Sequence, residues 1–230
     1  MASIEQKDRI AVVTGGAGSL GRAVVRMLHS TGVTIAVPVH GKPVPLAWAD
    51  FSLETDLADE GSCSAFFGST LQRYGRIDYL INLAGGYVGG KRVEETSPED
   101  LLSMFRLNVL TAQLSIRFSL PSMLKEHFGR IVTVAAKPAL VPSTGRSAYA
   151  IAKGAVVTLT EAVAAETRGT GVTCNAVAPS ILLTPGNSSP AAETSGWVST
   201  EEIAALIHFL CSHDARSISG NTIRVFGGVE

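Results

Sequence analysis

Short apolar runs alternate with longer amphipathic ones along the chain. Ile10 to Thr14, Thr34 to Val39, Tyr79 to Leu83, Arg130 to Val134, Thr173 to Ala178 and Thr222 to Phe226 are rich in valine and isoleucine and mostly lack polar alternation. Runs of that kind read as strands buried on both faces. Between them, Leu20 to Ser30, Gly61 to Tyr74, Pro98 to Phe118 with a continuation toward His127, Tyr149 to Arg168, and Thr200 to Cys211 have the length and spacing of helices. Ser97 before Pro98, Glu99 and Asp100 is a helix start, with a hydroxyl cap, a proline at the first helical position and acids in the first turn. Gly32, Gly75, Gly129 and Gly171 fall where helices end before the next strand. The alternation predicts an α/β fold: a single Rossmann-type doubly wound parallel sheet with helices on both faces, joined by right-handed crossovers.

Length and charge narrow this picture. The chain has 230 residues, enough for one domain with a sizeable core, so residues 1–230 are read as a single unit with a short substrate loop at about 184–197. Lys+Arg 19 against Asp+Glu 20, without a long run of either sign, argues against a nucleic-acid partner or a charged membrane surface. No segment is expected to span a bilayer, and Met1 to Arg9 lacks the apolar stretch of a secretory signal, so a cytoplasmic location is expected. Asn187-Ser188-Ser189 fits a glycosylation pattern that a cytoplasmic chain does not use. Cys63, Cys174 and Cys211 are scattered and odd in number, as reduced thiols are. The five histidines, His29, His40, His127, His208 and His213, lack ligand spacing, and no metal is expected.

Two clusters carry chemistry. In Ala148-Tyr149-Ala150-Ile151-Ala152-Lys153 a phenol and an ammonium stand four residues apart on one helix face. The ammonium is expected to favour the phenolate and to bring the tyrosine down from about 10 toward the working range of a general acid or base. The first strand runs into Thr14-Gly15-Gly16-Ala17-Gly18-Ser19-Leu20-Gly21 and then a helix, where backbone can approach a pyrophosphate at a helix N-terminus. Asn82-Leu83-Ala84-Gly85 closes a strand near the expected switch point of the sheet, and Asn108 lies in the following helix.

In this order, and with the closing stretch Gly220 to Gly228, the chain resembles the short-chain dehydrogenase/reductase family over nearly its whole length. The resemblance implies NAD(P)(H)-dependent hydride transfer to or from a small carbonyl, alcohol or quinonoid, pteridine-like substrate. Carried over residue by residue, it implies Tyr149 as catalytic acid or base, Lys153 on the nicotinamide ribose and beside the tyrosine, and Asn108 holding a water in a proton relay. Gly15, Ser19, Leu20 and Gly21 would line the pyrophosphate, Asp56 and Leu57 the adenine, and Asn82, Ala84 and Gly85 the adenosine ribose and nearby backbone. Pro179, Leu182 and Thr184 would meet the nicotinamide end, with Thr184 at the carboxamide. A homodimer or homotetramer is implied, paired through the helices 101–118 and 148–165.

The departures matter as much. Where the family carries a substrate-orienting serine, thirteen residues before the tyrosine, this chain has Ala136. Ser143, Thr144 or Ser147 would have to supply a replacement hydroxyl. Ser19 and Ser180 stand where glycines are usual. The missing serine, the glycine turn and the run Ala84-Gly85-Gly86-Tyr87-Val88-Gly89-Gly90 are similar to the quinonoid dihydropteridine reductase subgroup, as are Ala136 to Leu140, Ala152 to Val156 and Ser195-Gly196-Trp197. Ala136 and Tyr87 are therefore candidate substrate contacts. A nicotinamide-binding sensor or scaffold with weak or lost catalysis is the alternative, and Ala136 is its motive. The second strand ends Val37-Pro38-Val39-His40-Gly41-Lys42, with no acid for an adenosine 2′-hydroxyl. Either NADP(H) or NAD(H) is compatible, and His40 and Lys42 tilt the expectation toward NADP(H).

Overall fold

The computed structural model describes residues 6–41, 46–187 and 194–228. Its centre is a seven-stranded sheet in the order β3-β2-β1-β4-β5-β6-β9, every neighbouring pair parallel. The strands are β1 (Ile10–Thr14), β2 (Thr34–Val39), β3 (Phe51–Glu54), β4 (Tyr79–Asn82), β5 (Gly129–Val134), β6 (Val172–Pro179) and β9 (Thr222–Val225). A separate two-stranded piece joins β7 (Leu182–Leu183) to β8 (Val198–Ser199). The chain runs outward from β1 through β2 to β3 at one edge, then crosses back to β4 on the other side of β1. The sheet order reverses between β1 and β4, and a crevice opens at their carboxyl ends.

The apolar runs form strands because both sheet faces are covered. On one face α1 (Ser19–His29) and α7 (Thr200–Cys211) bury Val24, Leu28, Ile203 and Ile207 against Val13, Ile35, Val37 and Ile81. On the other, α2 (Glu60–Tyr74), α4 (Thr111–Lys125) and α6 (Ser147–Glu166) pack Phe66, Phe67, Leu114, Ile116 and Val163 against Val12, Leu80 and Ile131. Two further helices, α3 (Pro98–Phe105) and the short α5 (Lys137–Leu140), flank α6. Ser97 caps α3 by accepting from the Asp100 N–H, and the Asp100 carboxylate accepts in return from the Ser97 N–H.

Several boundaries differ from the sequence reading. The helix expected from Pro98 through Phe118 breaks into α3, a π-helical turn over Arg106–Leu110, and α4, which runs to Lys125. The strand β3 was invisible to pattern: it has four residues, Phe-Ser-Leu-Glu, on a sheet edge. It is held by tertiary means instead, with the Ile35 N–H donating to the Asp50 carboxylate at 2.8 Å and Phe51 stacked on Phe66. Contrary to expectation, α6 is long and apolar enough by composition to cross a membrane. Its alanines and valines have a different use here, lying against β5, β6, α3 and α5 as one layer of the sandwich.

Candidate active site

The turn between β1 and α1 is where the crevice begins. Gly18 precedes the first helical residue and no side chain caps it, so the first N–H groups of α1 face outward without an intrachain acceptor from a side chain. Gly21 is buried against the turn itself: a Cβ there would stand 2.2 Å from the Gly15 carbonyl oxygen and 2.6 Å from the Gly16 Cα. Thr14 ties this turn to the end of β4, its hydroxyl oxygen accepting from the N–H groups of Leu83 and Ala84 at 3.1 Å each.

Two cavities adjoin at this crest. One, of about 600 Å³, is lined by Gly15, Ser19, Leu20, Gly21, Gly85, Tyr87, Asn108, Ala136, Tyr149, Lys153, Pro179 and Leu182 among others. A second, of about 480 Å³, is lined by His40, Asp56, Leu57, Ala84 and Arg106, and shares Gly15 and Gly85 with the first. Together they make a trough across the sheet edge, long enough to divide into two stations with the glycine turn between them. A dinucleotide fits such a surface: no side chain intrudes at Gly15, Gly21 or Gly85, and the uncapped N-terminus of α1 offers its N–H groups to a pyrophosphate.

At the first station Lys153 is buried, and its ammonium donates to the Val134 carbonyl at 2.7 Å while lying 5.9 Å from the centre of the Tyr149 ring. Burial pulls Lys153 down to about 8. The expected lowering of Tyr149 is not found. Burial pushes its phenol up to about 12, opposed by the Arg146 guanidinium and assisted by Tyr87. The lysine gives a donor to a strand carbonyl and lies 5.9 Å from the ring centre, and burial outweighs any pull it has on the phenol, so Tyr149 keeps its proton. Its ring packs edge-on against Tyr87 with centres 5.0 Å apart.

Asn108 sits in the π-helical turn with both ends of its amide engaged: Nδ2 donates to the carbonyls of Gly86 and Met104 at 3.0 Å, and Oδ1 accepts from the Gly86 N–H at 3.3 Å. It clasps the backbone that follows β4. A Cβ on Gly85 would meet Asn108 Oδ1 at 2.5 Å and Lys153 Nζ at 3.4 Å, which is why that position carries no side chain. Ala136 lines the cavity, and none of the three expected substitutes for the absent hydroxyl does. Ser143 and Thr144 are exposed outside it, and the Ser147 hydroxyl pairs with Thr96 at 3.2 Å. Ser180, in a glycine position, donates to the Phe226 carbonyl at 2.8 Å and so closes β6 onto the end of β9.

Two expected residues are not brought in. Asn82 is buried at the end of β4 and lines neither cavity; its amide has no hydrogen-bond partner among the described residues. Thr184, just past β7, lines neither either. Asp56 does reach the second cavity, and it also accepts from the Ala58 N–H at 2.8 Å and pairs with Arg106 at 3.5 Å. The neighbouring Asp59 caps α2. Lys42 and residues 188–193 of the substrate loop lie outside the described residues. Sequence reasoning missed Arg146 and Arg106 altogether. The first stands three residues before Tyr149, and that spacing was a signal that could have been used.

A family model described as short chain dehydrogenase matches residues 9–194. The chain belongs to the short-chain dehydrogenase/reductase family. It is 34% identical over 190 residues to 2-(R)-hydroxypropyl-CoM dehydrogenase of Xanthobacter autotrophicus, covering 77% of this chain and 76% of that protein. It is 31% identical to meso-2,3-butanediol dehydrogenase of Serratia marcescens, covering 96% of this chain and 94% of the relative. Among solved structures, levodione reductase superposes with a TM-score of 0.87 at 25% identity, over 96% of this chain and 97% of that one. The protein is thus an oxidoreductase of the short-chain dehydrogenase/reductase family, which uses NAD(H) or NADP(H).

Proposed function

We propose that this short-chain dehydrogenase/reductase moves a hydride between nicotinamide and a small carbonyl/alcohol or quinonoid, pteridine-like substrate, with Tyr149 handling the proton. The observation that carries the reading is the meeting of Tyr149, Lys153 and the Gly15–Gly21 turn in one trough at the switch point of the sheet. The bound nicotinamide supplies or accepts the hydride at the substrate carbon. In reduction Tyr149 Oη gives its proton to the substrate oxygen as the C=O becomes CH–OH; in oxidation it takes that proton back. Held near 12 by burial, the phenol is protonated across neutral pH, which suits it to reduction. Lys153 and Asn108 fix the floor of the site, the first by holding the Val134 carbonyl of β5 and the second through the Gly86 backbone.

Tyr149→Phe tests this. Turnover is expected to fall by at least about a hundredfold, the usual worth of a positioned proton donor, while cofactor binding followed by fluorescence is retained. The second reading, a nicotinamide-binding sensor or scaffold, is favoured by Ala136, since none of Ser143, Thr144 and Ser147 lines the cavity to replace the missing hydroxyl. A wild-type protein that binds cofactor yet turns over no ketone, alcohol or quinonoid dihydropterin would establish that reading in place of the first. For the cofactor, the acid-free end of β2, with His40 lining the adenine station and Arg106 across it, supports NADP(H). Titration with both reduced cofactors is expected to give tighter NADPH binding, and a clear NADH preference would reverse the assignment. A homo-oligomer paired through α3, α4 and α6 and a reducing, cytoplasmic setting belong to the same reading; all three cysteines are buried and unpaired.

A further inference from the structure

Among the described residues, six arginines (Arg9, Arg26, Arg76, Arg92, Arg106 and Arg117) are each paired with a carboxylate. Arg146 has no such partner among them, although it is half-buried and lines the cavity beside Tyr149 and Ala136. Arg22, Arg73, Arg168, Arg216 and Arg224 also lack one but are exposed, and the buried Arg130 gives its guanidinium to the Gly129 and Gly171 carbonyls instead. A half-buried guanidinium with unspent donors is costly unless something else receives them. No neighbouring carboxylate among the described residues does so. The described residues lining this cavity include no Asp or Glu, and the only other charged one among them is Lys153, which donates to the Val134 carbonyl.

Geometry fixes where that charge points. Arg146 is the residue before the first turn of α6, and its carbonyl accepts from the Ala150 N–H at 2.8 Å, so its backbone is anchored. Its guanidinium carbon lies 5.8 Å from the centre of the Tyr87 ring, and Tyr87 in turn abuts Tyr149. The cation therefore belongs to the substrate side of the phenol and to α6, whereas the pyrophosphate station belongs to the N-terminus of α1.

We infer that Arg146 is a specificity-determining residue that receives an oxyanion group on the substrate, so that the compound reduced or oxidised at Tyr149 is an acid: a carbonyl or alcohol bearing a carboxylate or sulfonate. The planar fork of the guanidinium matches two oxygens of such a group, and a lysine would match only one. This rests on the hydride-transfer reading for the rest of the site. It also gives Ala136 a rationale, since a substrate tethered by its anionic end depends less on a hydroxyl at its carbonyl for orientation.

The test separates binding from chemistry. Cofactor-saturated protein carrying Trp48→Phe, which leaves Trp197 in the cavity as its one tryptophan, is titrated by fluorescence with straight-chain carboxylates and sulfonates of two to six carbons. Each carboxylate is set against its primary amide. At the best-fitting length the anion is expected to bind about 10- to 100-fold more tightly than the amide. Arg146→Met is expected to erase that difference while leaving amide and cofactor affinities unchanged, and Arg146→Lys to restore part of it. Equal affinity for anion and amide at every length, no anion binding at all, or a preference retained in Arg146→Met overturns the inference. None of these probes is turned over, so failure of the hydride-transfer reading would show separately, in the Tyr149→Phe assay.

Discussion

At the scale of single residues, Lys153 has the sharpest conflict between stability and chemistry. Its folded value of about 8 lies below the ordinary 10.5, so the fold binds that proton less well than the unfolded chain does. The penalty is present in full below about pH 8, shrinks as pH rises through 10.5, and is gone above it, where both states are neutral. Lys153→Met is therefore expected to raise thermal stability at pH 7 by about 1–2 kcal/mol, or roughly 2–8 °C for a chain of this size, and to lose the gain above pH 10. Turnover should collapse in the same variant. Thermal unfolding scans from pH 6 to 10.5 alongside an activity assay check both halves, and a destabilised Lys153→Met at pH 7 would contradict the account. In the wild type, the kcat/KM for reduced cofactor should fall along a limb near pH 8 as the free enzyme's ammonium deprotonates.

At the scale of elements, the β1–α1 turn and the π-helical turn do the positioning. Gly21 lets the first turn of α1 lie on the Gly15 carbonyl, and Gly21→Ala would drive a methyl to 2.2 Å from it. The helix must then lift from the strand. Cofactor affinity is expected to drop at least about tenfold and stability by about 1–3 kcal/mol, read by fluorescence titration and chemical denaturation. The wide turn at Arg106–Leu110 was not legible in the pattern, because apolar spacing runs through it without interruption from Pro98 onward. Such a bulge shifts the phase of a helix, and here it turns Asn108 inward to hold Gly86. The edge strand β3 escaped notice for another reason, since four half-polar residues are too few to show a period.

On the scale of the whole molecule, α3 and α6 pack together through Met104, Ala148 and Ala152 yet leave Leu102, Phe105 and Ile151 exposed. Leu102 alone shows 67% of its surface. Helices that bury one face on a sheet and keep an apolar second face suit a self-complementary interface. Sedimentation is expected to give a dimer or tetramer, and Leu102→Glu with Ile151→Glu to shift it toward monomer with the fold retained. A monomeric wild type at micromolar concentration would remove that interface. The apolar character of α6, which by composition alone passes for a bilayer segment, follows from the same double burial.

The sequence by itself determined the doubly wound parallel sheet, the glycine turn, the tyrosine-lysine pair and the alanine in place of the usual serine. These are properties of local pattern: double-sided burial selects valine and isoleucine, and a four-residue spacing aligns Tyr149 with Lys153 on any helix. Only the tertiary structure decided what each group experiences. Burial at the end of β5 loosens the proton on Lys153 and keeps the proton on Tyr149, reversing the expectation drawn from their proximity. Packing likewise buries Asn82 away from the trough and brings Arg146 into it with no carboxylate partner among the described residues, because electrostatic environment is set by neighbours distant in the chain, which no local spacing records.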